Sequence, residues 1–224
     1  MSSVAAHEIA GYRFADPQLL RQALTHRSHS AGHNERLEFL GDAVLNCVIA
    51  GELYRTYPAL QEGELSRVRA SLVNGQSLCG LANTLGIGAQ LLLGEGEIRS
   101  GGAQRPSMLA DAVEALIGAV FLDAGFEAAR EFTLRIFAPL LKDVDPRVAG
   151  KDAKTLLQEM LQARHLPLPV YTVLKTAGEA HEQSFEVECR IAELEIVTVG
   201  EGASRRAAEQ AAARRAYDMG RARK

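Results

Sequence analysis

Two short stretches of otherwise apolar sequence carry acidic residues at helical spacing. Between Leu37 and Ala50 every residue is apolar or small except Glu38, Asp42 and Asn46, which fall one turn apart on a single stripe. From Leu109 to Leu122 the only charged residues are Asp111 and Glu114, again on one face of a helix. If both helices are buried, each presents one carboxylate pair to the interior. A carboxylate withdrawn from water is costly unless paired or metal-bound, and four facing one another repel. Lys and Arg are absent from both stretches, Arg36 lying just before the first stripe. A hard divalent ion is then the most economical counter-charge, and oxygen-only ligands favour Mg²⁺ or Mn²⁺ over zinc. The competing reading is that each pair lies on the solvated face of an amphipathic helix. Such a face would show a wider polar arc with Lys and Arg interspersed, so the two narrow stripes together favour metal.

Other chemistries find less support. No Ser/His/Asp set or Cys/His pair can be assembled, so water rather than a side chain is the expected nucleophile. Neither acidic helix carries a histidine three residues after its glutamate, which sets the pattern apart from helical di-metal oxidases. Cys47, Cys79 and Cys189 are odd in number, far apart and without zinc spacing, which disfavours a disulfide framework and suits a reducing cytoplasm. The first residues, MSSVAAHEIAGYRF, show no basic start followed by an apolar core. No later stretch approaches bilayer-spanning length, so a cytoplasmic chain with no membrane association is expected, and a metal-activated water needs no organic cofactor.

The elements that must position these groups follow from periodicity. From Asp16 to Leu141 apolar residues recur at three- and four-residue spacing, with Asp16 before Pro17 as a helix start. Helices are expected over 35–56, 63–85, 108–124 and 126–140. The segment KDVDPRVAGKD, residues 142–152, is charged, nearly free of apolar residues and broken by Pro146 and Gly150, which is linker composition. Beyond it a helix over 153–164 gives way to alternating strands over 170–176, 184–191 and 193–200, then to a helix over 204–219. The expected fold is an all-α N-terminal domain over residues 1–143, a linker over 144–152, and an α+β domain of order α-β-β-β-α over 153–221.

Charge separates the two parts. The net charge of −3 argues against coating nucleic acid by bulk attraction, yet residues 205–224 hold seven basic side chains against Glu209 and Asp218. A phosphate-binding surface is expected there.

The string NERLEFLGD, residues 34–42, resembles the signature of the ribonuclease III family. LTHRS (24–28), EGELSRVRASLV (62–73) and LADAVEALIGAVFLDAG (109–125) follow in that family's order and spacing, and KTLLQE (154–159), GEAHEQSFEV (178–187) and GASRRAAEQAAA (202–213) resemble its double-stranded RNA-binding domain. The resemblance implies an endonuclease domain that dimerises, followed by an RNA-binding domain. It also implies that Glu38, Asp42, Asp111 and Glu114 are the metal ligands, with Asp42 and Glu114 catalytic. Hydrolysis of duplex RNA by a metal-activated water would leave a 5′-phosphate, a 3′-hydroxyl and a short 3′ overhang. Two-fold symmetry would give each subunit of a homodimer one strand. Implied substrates are ribosomal RNA precursors and some messenger and transfer RNA transcripts. Glu35 and Glu62 match acidic positions near the family's cleavage site, though each could equally be a favourable charge at a helix start. His26 and Arg27 match a motif whose role is more structural than catalytic. A non-catalytic duplex-binding regulator is the alternative function, and it need not keep all four acids.

By the same resemblance Thr155, Gln158, Glu159 and Gln162 would meet 2′-hydroxyls in one minor groove, and the loop at His181 would meet the next. Ser204, Arg205 and Arg206 would bind phosphate at the start of the last helix. A polar solvent face is the bland reading of the first four. The sequence departs from the family at Ala207, where a third basic residue is frequent, and Glu201 adds negative charge nearby.

Overall fold

The computed structural model describes residues 7–178 and 183–222. The chain divides into two compact units, residues 1–149 and 150–224.

The first unit is helical apart from a small hairpin that periodicity does not reveal. Strands β1 (Glu8–Ile9) and β2 (Tyr12–Arg13) pair antiparallel across Ala10 and Gly11, both at positive φ. The hairpin is tied down by Asp123, whose carboxylate accepts from the Tyr12 hydroxyl at 2.7 Å and from the backbone N–H groups of Ala15 and Asp16 at 2.9 and 2.8 Å. Asp16 caps α1 (Pro17–Ala23), its side chain accepting from the Gln18 N–H.

The helices that carry the acids are α2 (Glu35–Thr56) and α6 (Pro106–Asp143). Leu37, Leu45, Ile49 and Leu53 of α2 bury themselves with Leu109, Leu116, Ile117 and Phe132 of α6 in one core. Gly125, at φ 81 and ψ −173, interrupts α6, so the two helices expected over 108–124 and 126–140 meet there at an angle only glycine adopts freely. The expected single helix over 63–85 is instead two, α3 (Glu62–Leu72) and α4 (Gly75–Thr84). Asn74 turns extended between them and caps α4 by accepting from the Ser77 N–H at 3.0 Å, a side-chain-to-backbone competition that apolar spacing does not register. A short helix, α5 (Glu95–Arg99), precedes α6.

In one respect α2 differs from expectation. Only one face is buried; Phe39 is 81% exposed, Tyr54 74%, and Cys47 and Asp42 are also exposed. Apolar composition there does not mean burial within this chain.

The second unit has the expected order: α7 (Ala153–Ala163), β3 (Val170–Ala177), β4 (Ser184–Ile191), β5 (Ile196–Gly202) and α8 (Arg205–Ala222). The strands form an antiparallel sheet β3-β4-β5. The strand expected over 193–200 starts later because Ala192–Leu194 and Glu195, at φ 51, make the turn. Leu157 and Leu161 of α7 and Ala212, Ala213 and Ala216 of α8 pack with Cys189, Ile191 and Ile196 of the sheet. Small residues let α8 approach closely: a Cβ on Gly200 would lie 2.2 Å from the Ala212 amide nitrogen. Among the described residues no helix is long and apolar enough to cross a membrane.

Candidate metal centre and RNA-binding surface

The acidic residues meet because α2 and α6 cross at glycine. A Cβ on Gly41 would lie 1.7 Å from the Glu114 carbonyl oxygen, and one on Gly118 would lie 2.2 Å from the Leu37 carbonyl oxygen. With neither present, the backbones touch, and Glu38, three residues before Gly41, is brought to Asp111 and Glu114, seven and four residues before Gly118. Glu38, Asp111 and Glu114 each bring a carboxylate oxygen within 4.8 Å of the others. Asp42 lies beside this group rather than in it. It is exposed, and its Oδ1 accepts from Asn46 Nδ2 at 2.8 Å, so the third polar residue of the α2 stripe steadies the second.

The electrostatics fit a cation. Burial pushes the Glu114 carboxyl up to about 7, with the charges of Asp42, Glu38 and Asp111 adding to the shift. Glu38 is raised by burial and then by Asp111, Glu35 and Asp42. Asp111 is raised by burial and by Glu35, against an opposing pull from His26. Half-buried carboxylates that hold protons above their usual range are the state a divalent ion relieves, and every donor is a hard oxygen.

The cleft containing Glu38 and Asp111 also holds His26, Arg27, Glu97 and Arg105. Arg27 pairs with Glu35 at 3.1 Å, which puts Glu35 on the rim, engaged with a cation. His26 Nδ1 lies 2.8 Å from Ser28 Oγ, which accepts from the Gly94 N–H at 3.0 Å, so the motif joins two loops. Glu62 is not brought to the group. It begins α3, accepts from Ser66 Oγ at 2.8 Å and lines an apolar pocket with Leu53, Tyr54, Leu60 and Leu65. Glu97 and Arg105, paired at 3.1 Å, were not singled out by the sequence reading; the adjacent Gly101–Gly102 turn is the signal that marks their loop as specially shaped.

In the second unit Asp152 caps α7 by accepting from the Thr155 N–H at 2.8 Å. Thr155, Gln158, Glu159 and Gln162 are all exposed on that helix, but Glu159 is engaged by Lys151 at 2.6 Å. Ser204 caps α8, its Oγ accepting from the Ala207 N–H at 3.2 Å, and Ser204, Arg205 and Arg206 are exposed. One shallow pocket is lined by Lys154, Thr155, Gln158, Arg205 and Arg206. Beneath it Glu209 receives Lys154 Nζ at 2.6 Å and Arg205 Nε at 2.9 Å, hydrogen bonds that hold its carboxyl below the usual range. Lys154 also stands 4.6 Å over the Tyr171 ring. Arg205 is therefore partly neutralised, a contact its sequence position does not disclose. His181 lies outside the described residues.

Comparison with known proteins agrees with this geometry. Residues 16–140 match the family model described as ribonuclease-III-like, and residues 153–219 match the double-stranded RNA binding motif. Ribonuclease 3 of Cupriavidus taiwanensis is 60% identical over 218 residues, covering 97% of this chain and 85% of that protein. Ribonuclease 3 of Bordetella pertussis is 61% identical over 211 residues, covering 94% of this chain and 82% of that protein. Among solved structures, the nuclease domain of a ribonuclease III from Campylobacter jejuni, described as having a region involved in dimer formation, superposes with a TM-score of 0.57 at 46% identity over 58% of this chain and 92% of that one.

Proposed function

The chain belongs to the ribonuclease III family of endoribonucleases, and from that premise we propose that it hydrolyses double-stranded RNA at the carboxylate group formed by Glu38, Asp42, Asp111 and Glu114. The observation that carries this reading is the convergence of Glu38, Asp111 and Glu114 oxygens within 4.8 Å, with Glu114 raised to about 7.

The residues fit Mg²⁺, with Mn²⁺ able to replace it, because all donors are carboxylate oxygens. When bound, such an ion lowers the pKa of a water and offsets charge on the reacting phosphodiester, with products ending in 5′-phosphate and 3′-hydroxyl. Glu38 and Asp111 serve as ligands from opposite helices. Glu114, the most strongly raised of the group, would have to be deprotonated to serve as a third ligand, and Asp42, steadied by Asn46, would complete the set. Both act directly at the reacting centre. Glu35 and Glu62 stand outside the ligand set.

The RNA-binding reading covers Thr155, Gln158, Glu159 and Gln162 on α7, the His181 loop, and Ser204, Arg205 and Arg206 at the start of α8. The functional limits we assign are 1–143 for the nuclease domain, 144–152 for the linker and 153–221 for the RNA-binding domain. A homodimer is supported by the unpartnered apolar face of α2, with Phe39 and Tyr54 exposed, continued by Leu122 at 54% exposure. Ribosomal RNA precursors and some messenger and transfer RNA transcripts are the proposed substrates, and the three free cysteines suit the reducing cytoplasm.

The test is cleavage of a long RNA duplex with Mg²⁺, with EDTA, and by a Glu114→Gln variant. Mg²⁺-dependent cutting to short 5′-phosphorylated duplexes, lost in the variant while RNA binding persists, is the expected result. Binding without cleavage by the wild-type chain under any divalent ion would leave a duplex-binding regulator instead.

A further inference from the structure

The carboxylate group poses an electrostatic problem for its own substrate. Four acids stand where a phosphodiester must arrive, and a bound ion offsets them only locally, while the neighbouring phosphates of the strand carry a charge at every step. A cation fixed beside the group would supply the missing attraction. Arg27 and Arg105 both line the cleft, and they differ in how they are held. Arg27 is 70% exposed, and its one ion pair among the described residues is with Glu35. Arg105 stands at the residue before α6, less exposed, with Nη1 at 3.1 Å from Glu97 and Nη2 at 3.3 Å from Ser100 Oγ.

The loop that presents Glu97 is shaped around this contact. Gly101 sits at φ 75, and a Cβ on buried Gly102 would lie 2.9 Å from the Glu97 carbonyl oxygen and 3.1 Å from its carboxylate. Any larger residue at Gly102 would displace the carboxylate that aims Arg105. A half-exposed ion pair contributes no more than about 1 kcal/mol to stability, which is a weak reason for two consecutive glycines. Holding a flexible guanidinium in one orientation is a better one, since the rotamer entropy is then lost on folding and not on binding.

We infer that Arg105, aimed by Glu97 and Ser100, binds a backbone phosphate of the duplex next to the bond being cut. Arg105 is then a substrate-binding residue and Glu97 a positioning residue. The guanidinium fork has more N–H donors than Glu97 and Ser100 use, and the side chain is 44% exposed, so a phosphate can be received without breaking either contact. The inference rests on the nuclease reading, because that reading is what brings phosphodiester to Glu38 and Asp111.

The experiment uses the full chain, a long RNA duplex, and the variants Arg105→Gln, Arg105→Lys and Glu97→Gln. Steady-state cleavage is measured with Mg²⁺, and duplex binding is measured against salt in the Glu114→Gln background. Loss of one charge-assisted contact in Arg105→Gln is expected to raise KM about tenfold while kcat changes less than about threefold. The dependence of log K on log salt should become shallower by about 0.7–0.9. Arg105→Lys should restore the salt slope but not the full affinity, because it keeps the charge and loses the fork. Glu97→Gln should raise KM by a smaller factor with the slope intact. Wild-type KM and slope in Arg105→Gln would overturn the inference. So would equal losses of kcat and thermal stability in all three variants with an unchanged slope, the mark of a structural loop. A wild-type chain that binds duplex without cutting it overturns the nuclease reading alone, and the binding isotherms still decide on Arg105.

Discussion

Gly41 and Gly118 pack backbone to backbone where α2 crosses α6: a Cβ on Gly41 would lie 2.9 Å from the Gly118 amide nitrogen, and one on Gly118 would lie 3.0 Å from the Gly41 nitrogen. The obstacle to a side chain on either residue is main chain, which no rotamer change can move. Gly41→Ala must therefore part the helices, and overpacking of this kind costs roughly 1–3 kcal/mol or more. At the upper end that lowers the Tm by about 6–12 °C for a domain of this size. Because Glu38 and Asp42 flank Gly41 on α2, the same separation should weaken Mg²⁺ binding. Thermal unfolding and a Mg²⁺ titration of cleavage check both effects, and a Gly41→Ala protein with wild-type metal requirement would show that the crossing does not set the site.

The raised carboxyls fix a pH dependence. Glu114 is lifted above its ordinary value of 4.5 to about 7 by burial and by its acidic neighbours, so the folded state holds this proton more tightly than the unfolded chain does. Its favourable contribution is therefore complete below about pH 4.5 and is lost as pH rises through 7. Metal-free protein should lose thermal stability between pH 6 and 8, on the order of a pKa unit either side of that titration. Saturating Mg²⁺ should remove the decline, since it binds the deprotonated form, and Glu114→Gln should lack it. At subsaturating Mg²⁺, cleavage should rise across the same interval. A metal-free Tm flat from pH 6 to 8 would contradict the assigned environment.

What the sequence made legible were the features with a strong period or a distinctive type. The α-β-β-β-α order of the second unit and the helical first unit follow from apolar spacing, and Glu38, Asp111 and Glu114 stand out because nothing else charged shares their stripes. The convergence of the two stripes was legible only through the family resemblance and not from spacing, because it depends on Gly41 meeting Gly118 across 77 positions of chain. The extent of burial of α2 is hidden for a related reason: Phe39, Cys47 and Tyr54 are apolar yet exposed, and composition cannot distinguish a core from a face reserved for another molecule. The Glu97–Arg105 pair is hidden in the sequence because loops have no period, and the neutralisation of Arg205 by Glu209 because a basic run does not report its partners.

The exposed face of α2 predicts a dimer that one substitution weakens. Phe39 is 81% exposed and lies with Leu40 and Leu122 beside a surface pocket, an arrangement that leaves an aromatic ring in water unless a second chain covers it. Phe39→Glu should leave the fold intact, since the side chain makes no buried contact here, and should raise the dimer dissociation constant by about tenfold or more. Sedimentation velocity across a concentration series measures this. A Phe39→Glu chain that dimerises like wild type would place the interface on another face.

Glu209 and Ala207 together predict the charge response of the RNA-binding surface. Ala207 is exposed one step beyond Arg205 and Arg206, and the charge of Arg206 already acts on Asp152 across the same pocket. A lysine introduced there would project from the first turn of α8, next to Arg206. Ala207→Lys should therefore tighten duplex binding and steepen its salt dependence by about 0.7–0.9, one additional phosphate contact. Glu209→Gln works in the opposite sense despite adding net positive charge. Its side chain is only 11% exposed and receives both Lys154 and Arg205, so weakening it releases two cations from fixed positions. If orientation matters more than net charge, Glu209→Gln lowers affinity although the surface becomes more positive; if bulk attraction dominates, it raises affinity alongside Ala207→Lys. The geometry of the Lys154–Glu209–Arg205 bridge favours the first outcome, and salt-dependent binding isotherms of the two variants measured side by side distinguish them.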